Sequence, residues 1–464
     1  VHLGCHLWGP DLAASDMLFR ILFQLLSHAS SATLVDLVAN YQTCALWGSG
    51  SGTCWGSNTR GQCGLGHSRN LDRNLEEPID IDGRIAMIAA GGYHSCVIIA
   101  EGCVKCFGRN DRGQLGLGHT IQMGDEGGEM QALTCVPLGE AASQILAGKY
   151  HSCAILSSGH AKCWGQGGNG QLGTRSTSDI GDSPGEIEAL DYVDLGPNKV
   201  VQLACGYLHT CALMDNARAR CWGDGGYGQL GRGSRSDHGG SPGDMGTSLT
   251  DISPELGSVK QVECGKFHTC LVMTDGRLFC FGGNEYGQLG LGDTSGRSLP
   301  ELVAVPRVAM AALGDVHTCV AGDDVFCWGH GLFGQLGRSS TVSSSVPIAV
   351  EWLSGETVLK LTSLGSHTCA ITSTRLVCWG SDYYGQLGLG GTPSTMSLEH
   401  NTVWQGVVEY RGASSTAVTT AAATTLVDIV TATTTIGDAL VSACVSPCAL
   451  AWVLPAIVVV VAFP

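Results

Sequence analysis

The tetrad Gly-Gln-Leu-Gly recurs along the chain at Gly61 (with Cys63 in place of Leu), Gly113, Gly170, Gly228, Gly287, Gly334 and Gly385, each time after a Cys-Trp-Gly or Cys-Phe-Gly. Steps between copies are 52, 57, 58, 59, 47 and 51 residues. That period fits a four-stranded propeller blade and is longer than most paired-helix repeats. The spacing therefore predicts an all-β protein, a seven-bladed β-propeller of four-stranded antiparallel blades, over residues 33–410.

Each repeat carries the marks of a β-hairpin. In the fourth, Val201-Gln202-Leu203-Ala204 alternates apolar and polar residues, and Cys211-Ala212-Leu213-Met214 and Ala219-Arg220-Cys221-Trp222 flank a turn at Asp215-Asn216. Ser158-Gly159 and Asp275-Gly276 mark the same turn in the third and fifth repeats. The tetrad glycines suit backbone of positive φ and close chain approach. A phosphate-binding loop would instead open a helix and place a lysine nearby, so that reading is dropped.

Taken together, His-Thr-Cys-Ala-Leu, Cys-Trp-Gly and Gly-Gln-Leu-Gly resemble the repeats of the regulator of chromosome condensation family. The resemblance implies a seven-bladed propeller. Closing the ring requires the first and last repeats to meet, since open sheet edges invite aggregation. Ser397-Leu398-Glu399-His400-Asn401-Thr402-Val403-Trp404 parallels the segment 74–81, and is expected to complete the first blade.

Of 22 cysteines, fourteen form pairs at one hairpin location: Cys44 with Cys54, Cys96 with Cys106, Cys153 with Cys163, Cys211 with Cys221, Cys270 with Cys280, Cys319 with Cys327, and Cys369 with Cys378. Facing positions on antiparallel strands are close enough to bridge, so one disulfide per blade is expected, in an oxidising compartment. The alternative is free buried cysteine acting as a small hydrophobe. Cys103 and Cys106 form a lone Cys-x-x-Cys with no second half, a weak zinc signal. Cys205 and Cys264 share a slot in adjacent repeats and could couple blades. No metal or cofactor is expected.

The ends differ from the repeats. Residues 1–16 are unassigned; 17–32, from Met17 through an apolar run to Ala32, read as a possible signal peptide or as a helix capping the propeller. Residues 411–438 are rich in Ala, Thr and Ser, as in a linker. The uncharged stretch 439–464 suits a hydrophobic membrane anchor, or the tail of a lipid-anchor signal with Gly437-Asp438-Ala439 as its cleavage site.

A formal net charge of −16 is the wrong sign for holding a phosphate backbone, so no nucleic-acid partner is expected. Related acidic insertions bring Asp125, Glu126, Glu129, Asp182, Glu186 and Asp244 to one face, the candidate recognition surface. Calcium binding there competes with a reading as solvated loops. His94, His151, His209, His268, His317 and His367, with Gln42 in the first repeat, recur too regularly for an active site and are assigned to structural hydrogen bonding. Trp55, Trp164, Trp222, Trp328 and Trp379, with Phe107 and Phe281, fill one slot per repeat and are assigned to the core between blades. A plant ultraviolet-B photoreceptor of the same family places clustered tryptophans just before the His-Thr element. Here Tyr93, Tyr150 and Phe267 stand there, and photoreception is not expected.

No motif of a metalloprotease, serine hydrolase or P-loop enzyme is found. The expectation is a non-catalytic scaffold, secreted or tethered at the cell surface, binding a protein or glycan on its loop face. The alternative is an intracellular regulator, resembling the family's guanine nucleotide exchange factors for small GTPases or its ubiquitin-ligase-associated propellers.

Overall fold

The computed structural model describes residues 33–72 and 77–389, and the backbone of 397–405. The expected signal peptide, linker and anchor lie outside these residues. Among the described residues no helix is long and apolar enough to cross a membrane.

The chain forms seven antiparallel sheets, each from one contiguous stretch, consistent with the seven-bladed β-propeller. In the fourth, Val200–Cys205, Val-rich and bulged at its start, pairs with His209–Met214, which pairs with Ala219–Gly223. The same three-strand order repeats in every blade. Three blades add a fourth strand, Arg297–Leu302, Ser344–Ala349 or Ser397–Gln405. In the other four the outer position shrinks to a single bridge, Gly56 to Leu71, Gly108 to Met123, Gly165 to Ile180 and Gly223 to His238. In three of these blades the reason is local. Gly124, Gly181 and Gly239 follow the bridge residue at φ of 96°, 97° and 103°, and turn the chain into its insertion before a strand can extend.

The seam departs from the sequence expectation. Ser397–Gln405 does not complete the first blade; it pairs with Arg375–Gly380 as the outer strand of the seventh. A short connection from the last tetrad leads most directly to the adjacent strand. Ring closure is made instead by side chains. Thr43 Oγ1 lies 2.8 Å from His367 Nε2 and donates to the Gln386 carbonyl at 2.8 Å, and Trp55 Nε1 donates to the same carbonyl at 3.0 Å.

Inner strand edges are covered in a similar way. The Gln202 amide pairs with both N–H and C=O of Val262 on the next blade, and Gln261 does the same with Ala311. An edge engaged by its neighbour's side chain offers no template for another strand. The core lies between blades, where Trp55, Trp164, Trp222, Trp328, Trp379, Phe107 and Phe281 are fully buried.

Candidate functional site

The repeated polar residues form a circuit. Nε2 of His94, His151, His209, His268, His317 and His367 lies 2.8–3.0 Å from the hydroxyl of Ser152, Thr210, Thr269, Thr318, Thr368 and Thr43 on the following blade. Gln42 completes the round by donating to Ser95 Oγ at 3.1 Å. Six of these hydroxyls donate in turn to a tetrad glutamine carbonyl, at 2.8–2.9 Å. A hydroxyl that spends its hydrogen on the carbonyl can only accept from the imidazole, so in these copies Nε2 carries the hydrogen. Burial holds the six histidines far below their ordinary value, at about 3, or about 4 for His151.

The tetrad also closes itself. In every copy the glutamine Oε1 accepts from the backbone N–H two residues earlier, at 2.8–2.9 Å. A Cβ on Gly113 would sit 2.4 Å from the backbone nitrogen of Asp182 on the next blade, so this glycine is required for blade contact.

The paired cysteines face each other across the second and third strands of every blade, sulfurs at bonding distance and Cα atoms 4.0–4.1 Å apart. Cys44 joins Cys54, Cys96 joins Cys106, Cys153 joins Cys163 and Cys211 joins Cys221. Cys270 joins Cys280, Cys319 joins Cys327 and Cys369 joins Cys378. These are staples within the blades and not parts of a binding surface: Cys54, Cys280, Cys327 and Cys378, on the third strands, are fully buried and present no sulfur to a ligand. Cys103 joins Cys135 instead of serving a zinc site, with Cα atoms 5.5 Å apart; sequence spacing gave no sign of this pair. Cys63, Cys205 and Cys264 are unpaired and buried. A ring nitrogen of His151 and the sulfurs of Cys153 and Cys205 lie within 4.8 Å of one another, as do those of His209, Cys211 and Cys264. In each group one sulfur already belongs to a disulfide.

The acidic insertions are occupied from within. Glu129 Oε2 accepts from the N–H groups of Gly124, Asp125 and Glu126 at 2.7, 3.0 and 3.0 Å. Glu186 does the same for Gly181, Asp182 and Ser183 at 2.7, 3.1 and 3.1 Å. Asp244 accepts from Gly239 and Ser241 at 2.9 and 2.8 Å. These three carboxylates hold their own loops in shape. Asp125 pairs with Gln122, Asp182 accepts from Ser183 Oγ at 3.1 Å, and Glu126 is exposed.

A different surface has the makings of a binding site. Antiparallel strands alternate direction, so the turn after each first strand and the tetrad loop after each third strand emerge at the same end of the propeller. There residues one or two positions before Gln42 and the next four histidines come together ring against ring. Tyr41 and Tyr93 have ring centroids 5.5 Å apart, Tyr93 and Tyr150 6.1 Å, Tyr150 and Tyr207 6.0 Å, and Tyr207 and Phe267 5.7 Å. Three cations lie over these rings. Lys149 is 3.6 Å from the Tyr207 centroid, Lys266 5.0 Å from Phe267, and Arg109 5.1 Å from Tyr150. Partial burial, with Lys266 and Arg109 nearby, lowers Lys149 to about 8, against the pull of Asp315. Asp315 lines a small pocket with Tyr41, Lys149, Tyr207 and Lys266, and accepts from the Tyr41 hydroxyl at 3.3 Å. Enclosure by protein raises its carboxyl, and Lys266 and Lys149 draw it back.

The RCC1-like domain model matches residues 54–425. The chain belongs to the RCC1-like domain family. It is 30% identical to the ultraviolet-B receptor UVR8 of Arabidopsis thaliana over 393 residues, 82% of each chain. It is 33% identical to the probable E3 ubiquitin-protein ligase HERC4 of Homo sapiens over 237 residues, 50% of this chain and 20% of that protein. Among solved structures, Prp20p of Saccharomyces cerevisiae superposes with a TM-score of 0.62 at 20% identity, covering 80% of this chain and 87% of the other.

Within the RCC1-like frame, Tyr41, Tyr93, Tyr150 and Phe267 share the slot just before Gln42 or the histidine, whereas Tyr207 stands one place earlier, with Leu208 before His209. The position before each tetrad carries a second signal. It holds Arg60, Arg112 and Asn169 in the first three blades, then Tyr227, Tyr286, Phe333 and Tyr384 in the rest. At this position the first three blades are polar and the last four aromatic.

Proposed function

We propose that the protein is a non-catalytic binding module that takes a protein partner on the aromatic, cation-bearing end of its propeller. The observation that carries this reading is the run of rings from Tyr41 to Phe267 with Lys149, Lys266 and Arg109 over them, partly exposed around the axis. Tyrosine supplies large, rigid contact area at small entropic cost, and aromatic and arginine side chains dominate binding energy at protein interfaces. The cations add orientation and rate more than affinity. The facing cysteine pairs support residence outside the reducing interior of the cell, secreted or held at the surface by the C-terminal stretch.

The test uses the full chain and a Tyr93→Ser/Tyr150→Ser double variant, screened in parallel against arrays of extracellular domains and of glycans. The reading requires a saturable protein ligand whose affinity falls at least about tenfold in the variant. Ligands that ignore the variant but respond to Asp125→Ala/Asp182→Ala would return recognition to the insertions, and a glycan-only response would change the partner class. Acceleration of nucleotide release from a small GTPase would favour the intracellular alternative.

A further inference from the structure

In the aromatic half of the axial face, three consecutive tetrad loops and the turns at Phe267, Val316 and Ser366 line a cavity of about 240 Å³. Its walls include Tyr227, Phe267, Tyr286, His330 and Phe333, together with Glu285, Asp315 and Lys266. Tyr227 stacks on Phe267 at 4.4 Å and 25°, while Tyr286 meets His330 edge-on at 4.7 Å, and His330 meets Phe333 at 5.8 Å. Tyr227 and Tyr286 remain 38% and 43% exposed, so ring surface is left uncovered.

The charge of this wall points to the ligand. Two carboxylates, Glu285 and Asp315, line it with one ammonium, Lys266; Asp315 is also drawn on by Lys149 and held by the Tyr41 hydroxyl, which leaves Glu285 as the exposed anion. Lys266 itself rests over the rings of Tyr207 and Phe267 at 5.1 and 5.0 Å, which shows that a ring of this wall already attracts an ammonium from one side. His330 adds no charge at neutral pH: burial lowers it, and its Nδ1 lies 3.1 Å from the Gln335 amide nitrogen, which donates to it. Aromatic faces beside an exposed carboxylate favour a cation whose hydration is weak enough to be stripped, namely an alkylated ammonium group.

We propose that this cavity binds the alkylated ammonium group of a ligand or partner side chain, held by the faces of Tyr227, Tyr286 and Phe333 and by the carboxylates of Glu285 and Asp315. The proposal rests on the axial end being the recognition surface and gives one pocket of it a ligand class. Choline and its neutral carbon isostere, 3,3-dimethylbutan-1-ol, are titrated into the full chain and followed by ligand-observed NMR. Saturable choline binding is expected, at least about tenfold tighter than the isostere and weakened about tenfold by Tyr286→Ala. Glu285→Gln, an exposed change that leaves the fold alone, should weaken choline and leave the isostere unchanged. Equal binding of the two probes, no saturable choline binding, or binding untouched in both variants would overturn the proposal. Such a failure, with partner binding still lost in the Tyr93→Ser/Tyr150→Ser variant, would leave the broader reading standing.

Discussion

Acidification tests the histidine circuit directly. In the folded chain six imidazoles are held neutral with values of about 3 to 4, whereas in the unfolded chain each titrates near its ordinary value of about 6.5. Below that ordinary value the unfolded state binds more protons, so this contribution is intact above about pH 6.5 and is lost as pH falls toward the folded values. At pH 5 each imidazole costs about 2 kcal/mol, and six cost about 12 kcal/mol, comparable to the whole stability of a domain. Glu263 opposes this. Burial raises it to about 7, so its neutral form stabilises the fold by about 2 kcal/mol as pH drops from 7 to 5. Since the six imidazoles together already cost about 1 kcal/mol at pH 7, the expected net loss over that interval is about 9 kcal/mol.

Calorimetric melts at constant ionic strength, under non-reducing conditions, should show a level midpoint above pH 7 and a fall that steepens below pH 6.5. His209→Gln, which installs the residue that Gln42 already provides in the first blade, should remove about one sixth of the histidine term. A midpoint unchanged from pH 7 to 5, or imidazole resonances of the folded protein titrating near 6.5, would refute the burial argument.

Three further outcomes are expected. Trp222→Phe copies the residue found at Phe107 and Phe281 and loses the bond from Nε1 to the Gln171 carbonyl, so it should cost about 1 kcal/mol in denaturant titration, whereas Trp222→Ala should cost about 3 to 5 kcal/mol. Cys63, Cys205 and Cys264 should resist a maleimide in the native state and react on unfolding, because all three are buried and burial raises each thiol, to about 12 for Cys205. Glu186→Ala leaves three backbone N–H groups at 181–183 without their acceptor; proteolysis should then nick this insertion faster, with little change in partner binding at the axial face.

The repeat was legible because each blade must solve the same packing problem, so Gly113, Gln114, His151 and Trp164 each have a counterpart in the other repeats. A slot, however, records what a residue is and not what it meets on the next blade. The donation from Trp164 to Gln114 O and the contact of His151 with Thr210 join residues 50 and 59 positions apart. The seam misled for a related reason: similarity between 397–404 and 74–81 is similarity of slot, and pairing was decided by the nearest free strand. Charge makes the acidic insertions conspicuous in the sequence, but does not show that Glu129 and Glu186 turn inward to their own N–H groups. The axial rings drew less notice because Tyr41, Tyr93, Tyr150, Tyr207 and Phe267 are spread over more than two hundred residues and become neighbours only when the ring closes.

Thr43, His367 and Gln386 join the last blade to the first with the same relay that joins most other neighbours, and among the described residues no strand crosses the seam. A gene of this type could gain or lose a unit by duplication or deletion and still present two complementary flanks, with ring size set by the wedge angle of the units and not by a dedicated clasp.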